Sequence, residues 1–154
     1  MLGSSGKVTI GNNCFIGMNT VILKGTTIGD NVIIVAGSIL RGKHLSNSVI
    51  AGGAARVICT LNEYLAKRQR AQLAEALQLV DEYYAVYHKL PAKDVLAEFF
   101  WLFEKREKIM NKSFLSKMHC VGNFDESMQV FLCEKPRFDG YDEFIAYWRK
   151  QKMV

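Results

Sequence analysis

The first 58 residues hold few side chains capable of polar chemistry, and almost all of them are cationic. They are Lys7, Lys24, Arg41, Lys43 and Arg56, set against Asp30 alone. Such a surface favours a polyanion bearing phosphates, because ammonium and guanidinium groups attract phosphate oxygens and a guanidinium can pair with two at once. The remaining 96 residues carry fifteen basic and fourteen acidic side chains, so the excess of the +5 net charge lies at the front of the chain. Proton transfer near neutral pH asks first for histidine, and the candidates are His44, His88 and His119. Cys14, Cys59, Cys120 and Cys133 show no CxxC spacing and no neighbouring cluster of histidines, so no metal is expected. Reduced thiols and a cytoplasmic home follow as expectations. Nucleic acid is not the expected polyanion, since neither an aromatic RNA-binding motif nor a basic recognition helix is present.

What must position the cations is a repeat. In "TIGNNCFIGMNTVILKGTTIGDNVIIVAGSIL" (9–40), Ile10, Ile16, Ile22, Ile28, Ile34 and Leu40 recur every six residues. Two places before each stand Val8, Cys14, Thr20, Thr26, Val32 and Ser38, all small or β-branched. "TIGNN" at 9–13 returns as "TIGDN" at 27–31, so three hexads form one turn of a coil. Neither a helix nor an alternating strand has this period. Short strands on three sides, joined at corners where glycine or asparagine supplies positive φ, turn it into a parallel β-helix. Its inward aliphatics stack from coil to coil. Positions 8–50 make only about two and a half coils, where repeat proteins usually need three, and an open first coil exposes unpaired strand edges.

The phase stops near Thr60, and the expected division is a β-helix over 1–58 followed by an α-helical region over 59–154. Thr60 and Glu63 read as a capping box. A long helix should then run to about Lys89, with Leu73, Ala76, Leu77, Val80, Tyr84 and Tyr87 on one stripe. "KLPAKD" should end it and begin a second helix through "DVLAEFFWLFEKREKIM", whose aromatic stripe suits a core or a subunit interface. Residues 111–138 stay open between strand and helix, and Asp139 is expected to cap a final helix. A 49% apolar, 23% charged composition fits a packed protein. No stretch is long and apolar enough for a membrane span, and none reads as a leader, so membrane insertion is not expected.

The hexads, together with "NSVIAGGAARVI" at 47–58, resemble the closing part of a hexapeptide-repeat acyltransferase. The similarity is to the branch of sugar and polysaccharide O-acetyltransferases related to galactoside and maltose acetyltransferases. The usual closing phrase has Asn-Pro where this chain has Gly53-Ala54. The resemblance implies a left-handed coil, a homotrimer, and acetyl-coenzyme A in the groove between neighbours. By position, Ala36 and Gly37 would lie along the pantetheine arm and Arg56 would face the nucleotide phosphates. Arg41 stands where the family has threonine and Gly42 where it has lysine, with Lys43 the nearest substitute amine. Phe15 replaces a tryptophan near the acyl end. The helical region resembles the C-terminal extension of capsule-type O-acetyltransferases.

The resemblance also implies a histidine that takes the proton from a saccharide hydroxyl as the hydroxyl attacks the thioester directly, with no acyl-cysteine. That histidine lies upstream of the matched segment, where this sequence has only "MLGSSG". By position His44 falls in the connection after the repeat and is not that base, and His88 is expected to meet a helix C-terminus. The expected base is thus absent, and the chain reads as an N-terminally truncated relative. Two readings stand: an acetyl-CoA-dependent O-acetyltransferase, or part of one, and a non-catalytic trimeric scaffold. O- and N-acylation are not distinguished. A carbonic anhydrase on the same coil would need several histidine ligands, and the repeat region offers only His44.

Overall fold

The computed structural model describes every residue except 1, 108, 110, 121, 153 and 154. It divides into two compact units, Met1–Arg68 and Gln69–Val154.

The first unit is the coil. Two-residue strands β1 (Thr9–Ile10), β2 (Phe15–Ile16), β3 (Val21–Ile22), β4 (Thr27–Ile28), β5 (Ile33–Ile34), β6 (Ile39–Leu40) and β7 (Lys43–His44) lead into β8 (Ser48–Ala51) and β9 (Arg56–Thr60). Three sheets result, ordered β1-β4-β7, β2-β5-β8-β9 and β3-β6. Parallel pairing sets Ile10 on Ile28, Ile16 on Ile34 and Ile22 on Leu40, as the eighteen-residue period predicts. Ile28, Val32, Ile34, Leu40 and Ile50 form the buried core. Ile10 and Ile16, on the first coil, stay exposed.

The corners explain the small residues two before each aliphatic. The hydroxyls of Thr20 and Ser48 each donate to the carbonyl three residues back, Gly17 and Leu45, at 2.7 Å. Thr26 and Ser38 do the same and are completely buried. Each of these hydroxyls is thus satisfied by a carbonyl of its own corner as it enters the core. At one corner Asn13, Asn31 and Asn47 all adopt positive φ, 52°, 55° and 59°. Their amides form a ladder, Asn13 Nδ2 to Asn31 Oδ1 at 3.3 Å and Asn31 Nδ2 to Asn47 Oδ1 at 3.1 Å.

The third coil departs from the hexad count. Thr27 and Ile28 pair with Lys43 and His44, sixteen residues on, because the corner between β6 and β7 holds only Arg41 and Gly42. The corresponding corner one coil earlier holds four residues, Leu23 to Thr26. The loss of two residues carries His44 into a strand, on the inward position beneath Ile28. After β8 the chain reverses through Gly52, at φ 112°, and β9 returns antiparallel with a bulge between Val49 and Ile50.

Helix α1 (Leu61–Tyr87) opens with the expected capping box: Glu63 N–H donates to Thr60 Oγ1 at 3.2 Å, while Thr60 N–H donates to Glu63 Oε2 at 2.8 Å. Ala76 and Val80 are buried on the expected stripe, whereas Tyr84 and Tyr87 are exposed. The helix ends where His88 enters the left-handed region, φ 53°, its N–H donating to Tyr84 O. His88 therefore serves as a backbone stop.

The second expected helix does not form. Residues Lys93–Leu96 and Phe100–Leu102 make separate 3-10 turns. Leu96, Ala97, Phe100, Leu102 and Phe103 are all buried, an apolar set too broad for one face of a helix. The Arg106 guanidinium also donates to the carbonyls of Trp101, Glu104 and Glu134 at 2.7–2.8 Å, replacing helical partners. The open segment resolves as helices α2 (Lys112–Met118) and α3 (Phe124–Cys133), with "MQVFLC" helical throughout. The last helix is α4 (Tyr141–Lys152). Asp139 contributes to its start through its backbone N–H, which donates to Glu143, rather than through a side-chain cap. Aromatic rings centre the core of this unit, with Phe103 edge-on to Phe114 and Tyr141 and stacked on Phe144.

Candidate functional site

Of the five candidate residues, Ala36, Gly37 and Arg41 occupy the two corners flanking β6, while Lys43 lies on β7 and Arg56 on β9. Ala36 and Gly37 form the corner before it, both exposed, with Gly37 at φ 73°. Ile39 N–H donates to Gly52 O at 3.0 Å and Ile39 O accepts from Ala55 N–H at 3.1 Å, so the loop after β8 underlies that end of the strand. Arg56 follows directly and pairs with Ala51. Ala36, Gly37 and Arg56 are thus gathered near one end of β6 on adjacent coils. Arg41 belongs to the corner beyond its other end, and Lys43 projects outward from β7, in register with Thr27.

Chemically this is an open, uncommitted cationic edge. Arg41, Lys43 and Arg56 are exposed and make no side-chain hydrogen bond or ion pair among the described residues. A Cβ placed on Gly37 or Gly42 would meet nothing within 4 Å, so both corners leave space for a chain lying against the backbone. The one acid of the coil does not compete for these cations. Asp30 Oδ1 accepts from Asn12 N–H at 2.6 Å and from Asn12 Nδ2 at 3.1 Å, bracing the first two coils.

The remaining candidates separate from this edge. Phe15 is exposed on the second sheet, in register with Ile33. Cys14 is half-buried, with Sγ 3.2 Å from Gly29 O, and acts as a corner residue. All four cysteines are free thiols. His44 is not in a connection as its sequence position suggests; it is 7% exposed, and its Nε2 has no partner. His119 stacks flat on Phe124, ring centroids 3.9 Å apart. Each histidine so has a structural place, and none borders the Arg56 corner in sequence or strand pairing. Among the described residues no three His, Cys, Asp or Glu side chains gather as metal ligands, and no helix is long and apolar enough to cross a membrane.

A feature the hexad reading overlooked is the outward side of the third sheet. Val21 and Ile39, in register, are 47% and 38% exposed. Leu23, Val35 and Met18 at the flanking corners are exposed as well. The signal was available: the residue before each inward aliphatic points outward, and at 21 and 39 it is β-branched and apolar.

Comparison with known proteins accords with the coil and its corners. Residues 7–42 match the family described as bacterial transferase hexapeptide (six repeats). The galactoside O-acetyltransferase of Escherichia coli (strain K12) is 50% identical over 56 residues, 36% of this chain and 28% of that protein. A second protein of that strain, WbbJ, named provisionally as a lipopolysaccharide biosynthesis O-acetyl transferase, is 41% identical over 58 residues, 38% of this chain and 30% of its own length. A crystal structure of a maltose O-acetyltransferase from Clostridium difficile 630 is 44% identical, covering 36% of this chain and 29% of that one, with a TM-score of 0.35. Over the repeat segment the chain is thus similar to the hexapeptide-repeat transferases and to O-acetyltransferases such as the galactoside enzyme. The chain spans less than a third of the length of these relatives.

Proposed function

We propose that the coil is the acyl-donor part of an acetyl-CoA-dependent O-acetyltransferase acting on a sugar or polysaccharide hydroxyl. The observation that carries this reading is the 50% identity to a galactoside O-acetyltransferase over 56 residues, beside the hexapeptide-repeat match over 7–42 that includes Ala36 and Gly37. In this reading the coil is left-handed and three copies associate through the apolar outward sheet of Val21 and Ile39, which forms a groove between neighbours. Ala36 and Gly37 present open backbone to the pantetheine arm. Arg56, with Arg41 and Lys43 further along, holds the nucleotide phosphates by charge-assisted hydrogen bonds. Bound acetyl-CoA supplies an activated thioester, and the chain's own residues bind and orient it. The free thiols favour a reducing, cytoplasmic setting.

The three structurally placed histidines favour a second reading, in which this chain binds the donor but transfers nothing. One titration and one assay separate the alternatives. Calorimetry with acetyl-CoA should give saturable binding that weakens about tenfold or more in Arg56→Ala, the loss expected for a phosphate-pairing guanidinium of roughly 1.5–3 kcal/mol. Failure to bind would remove the donor site altogether. Binding without acetyl transfer to any saccharide would support the scaffold reading. Sedimentation of Ile39→Lys beside the native chain tests the trimer, and equal masses would overturn the proposed interface.

A further inference from the structure

In the helical unit, a cleft of about 500 Å³ opens between the second half of α1 and the end of α4, lined by Asp81, Tyr84, Ala85, Leu90, Trp148, Arg149 and Lys152. Its size falls in the range that holds small ligands. Three features give it a definite chemistry. Tyr84 is 45% exposed and its ring lies 5.6 Å from that of Trp148, which is itself 7% exposed, so an aromatic wall rises from a buried aromatic floor. Asp81 is fixed in place. Its Oδ1 accepts from Trp148 Nε1 at 2.6 Å and from Lys152 Nζ at 2.9 Å, while Oδ2 has no partner among the described residues. Arg149 is exposed, and its guanidinium makes no hydrogen bond or ion pair among the described residues.

We propose that this cleft binds an acidic saccharide, one carrying a carboxylate on a pyranose ring. The apolar C–H face of a pyranose suits the electron-rich face of Tyr84. Its hydroxyls can donate to the free oxygen of an Asp81 carboxylate already held in a fixed geometry, and its carboxylate can pair with the Arg149 guanidinium side-on. Lys152 neutralises Asp81, so Arg149 leaves the lining with one net positive charge. A bare phosphate fits less well, because the aromatic wall would add nothing to its binding. The site lies within the helical unit and shares no residue with the Arg56 corner. Naming it the acceptor's binding site rests on the saccharide reading above; its chemistry does not.

The test is calorimetric titration of the full chain with a trisaccharide of galacturonic acid and with its neutral galactose counterpart, in the absence of acetyl-CoA. The acidic trisaccharide should bind saturably and at least tenfold more tightly than the neutral one. Tyr84→Ala and Arg149→Gln should each weaken binding tenfold or more, whereas Tyr84→Phe should retain it. Both altered residues are exposed, and unchanged circular dichroism will show whether the variants stay folded. Absence of binding by the folded native chain, binding indifferent to all three substitutions, or equal affinity for both sugars would each overturn the proposal. Acidic-sugar binding by a chain that fails to bind acetyl-CoA would leave this inference standing and the donor reading refuted.

Discussion

The coil and the helical unit solve the same problem, burying apolar side chains without abandoning polar backbone, by opposite means. In the coil most strand positions have a counterpart one turn away, and the same few devices recur: an aliphatic stack, hydroxyls closing the corners at Thr20, Thr26, Ser38 and Ser48, an asparagine ladder. In the helical unit no device repeats. Its core is an assembly of unlike rings, and one arginine ties three carbonyls of segments far apart in sequence. The lesson is that periodic burial spreads stability thinly over many equivalent sites, whereas the aromatic core concentrates it in a few.

The largest effect should therefore come from the aromatic core. Phe103 is fully buried and meets Phe114, Tyr141 and Phe144. Phe103→Ala should cost about 3–5 kcal/mol through lost burial and an unfilled cavity. Both tryptophans, Trp101 and Trp148, lie in this unit, so urea unfolding followed by tryptophan fluorescence reads it directly. Amide exchange over 9–50 reads the coil in the same sample. Protection lost from the coil to the same extent would show that the two regions unfold as one, and the contrast would then be one of construction only.

A middling effect is expected where coils touch. A Cβ on Gly29 would stand 2.4 Å from Ser46 Oγ and 2.7 Å from Ser46 N. The hydroxyl could turn away, but the backbone nitrogen cannot, because Gly29 N–H to His44 O at 3.0 Å pins the two coils together. Gly29→Ala should cost about 1–3 kcal/mol from overpacking, reduced by roughly 0.4–1 kcal/mol because alanine restricts the unfolded chain. Faster amide exchange across 27–50 is the expected readout. An unchanged rate would mean the stack yields easily, contrary to the rigid register inferred from its ladders.

The same contrast governs what could be read in advance. The hexads revealed the coil, its corners and its inward residues because each position was stated several times over. The two-residue loss that moves His44 into a strand was invisible, since only pairing with Ile28 exposes it. The β9 return was also missed, because "GGAARVI" carries no alternation that distinguishes a strand from a loop. The capping box at Thr60 was legible, being local. The aromatic run at 95–103 was not, because its turns depend on Arg106 reaching Trp101 and Glu134. The candidate cations were visible as residue types, but their division between the two ends of β6 came from pairing.

The smallest predicted effect lies at the capping box where helix α1 begins, and it depends on pH. The Glu63 carboxyl is held below its ordinary range first by the Thr60 backbone N–H and then by the Thr60 hydroxyl, with slight desolvation opposing. A carboxyl lowered in the folded state stabilises it fully above the unfolded value, about 4.3, and that contribution fades as pH falls through the lowered folded value. Glu63→Gln can keep a hydrogen bond to Thr60 N–H but has no charge to lose. At pH 7 the native chain should protect the amides of the first turn of α1 slightly better than the variant. As pH falls through the lowered folded value the native carboxyl takes up its proton, and the difference should shrink towards zero. A gap that persists unchanged at low pH would mean the box works by shape rather than charge.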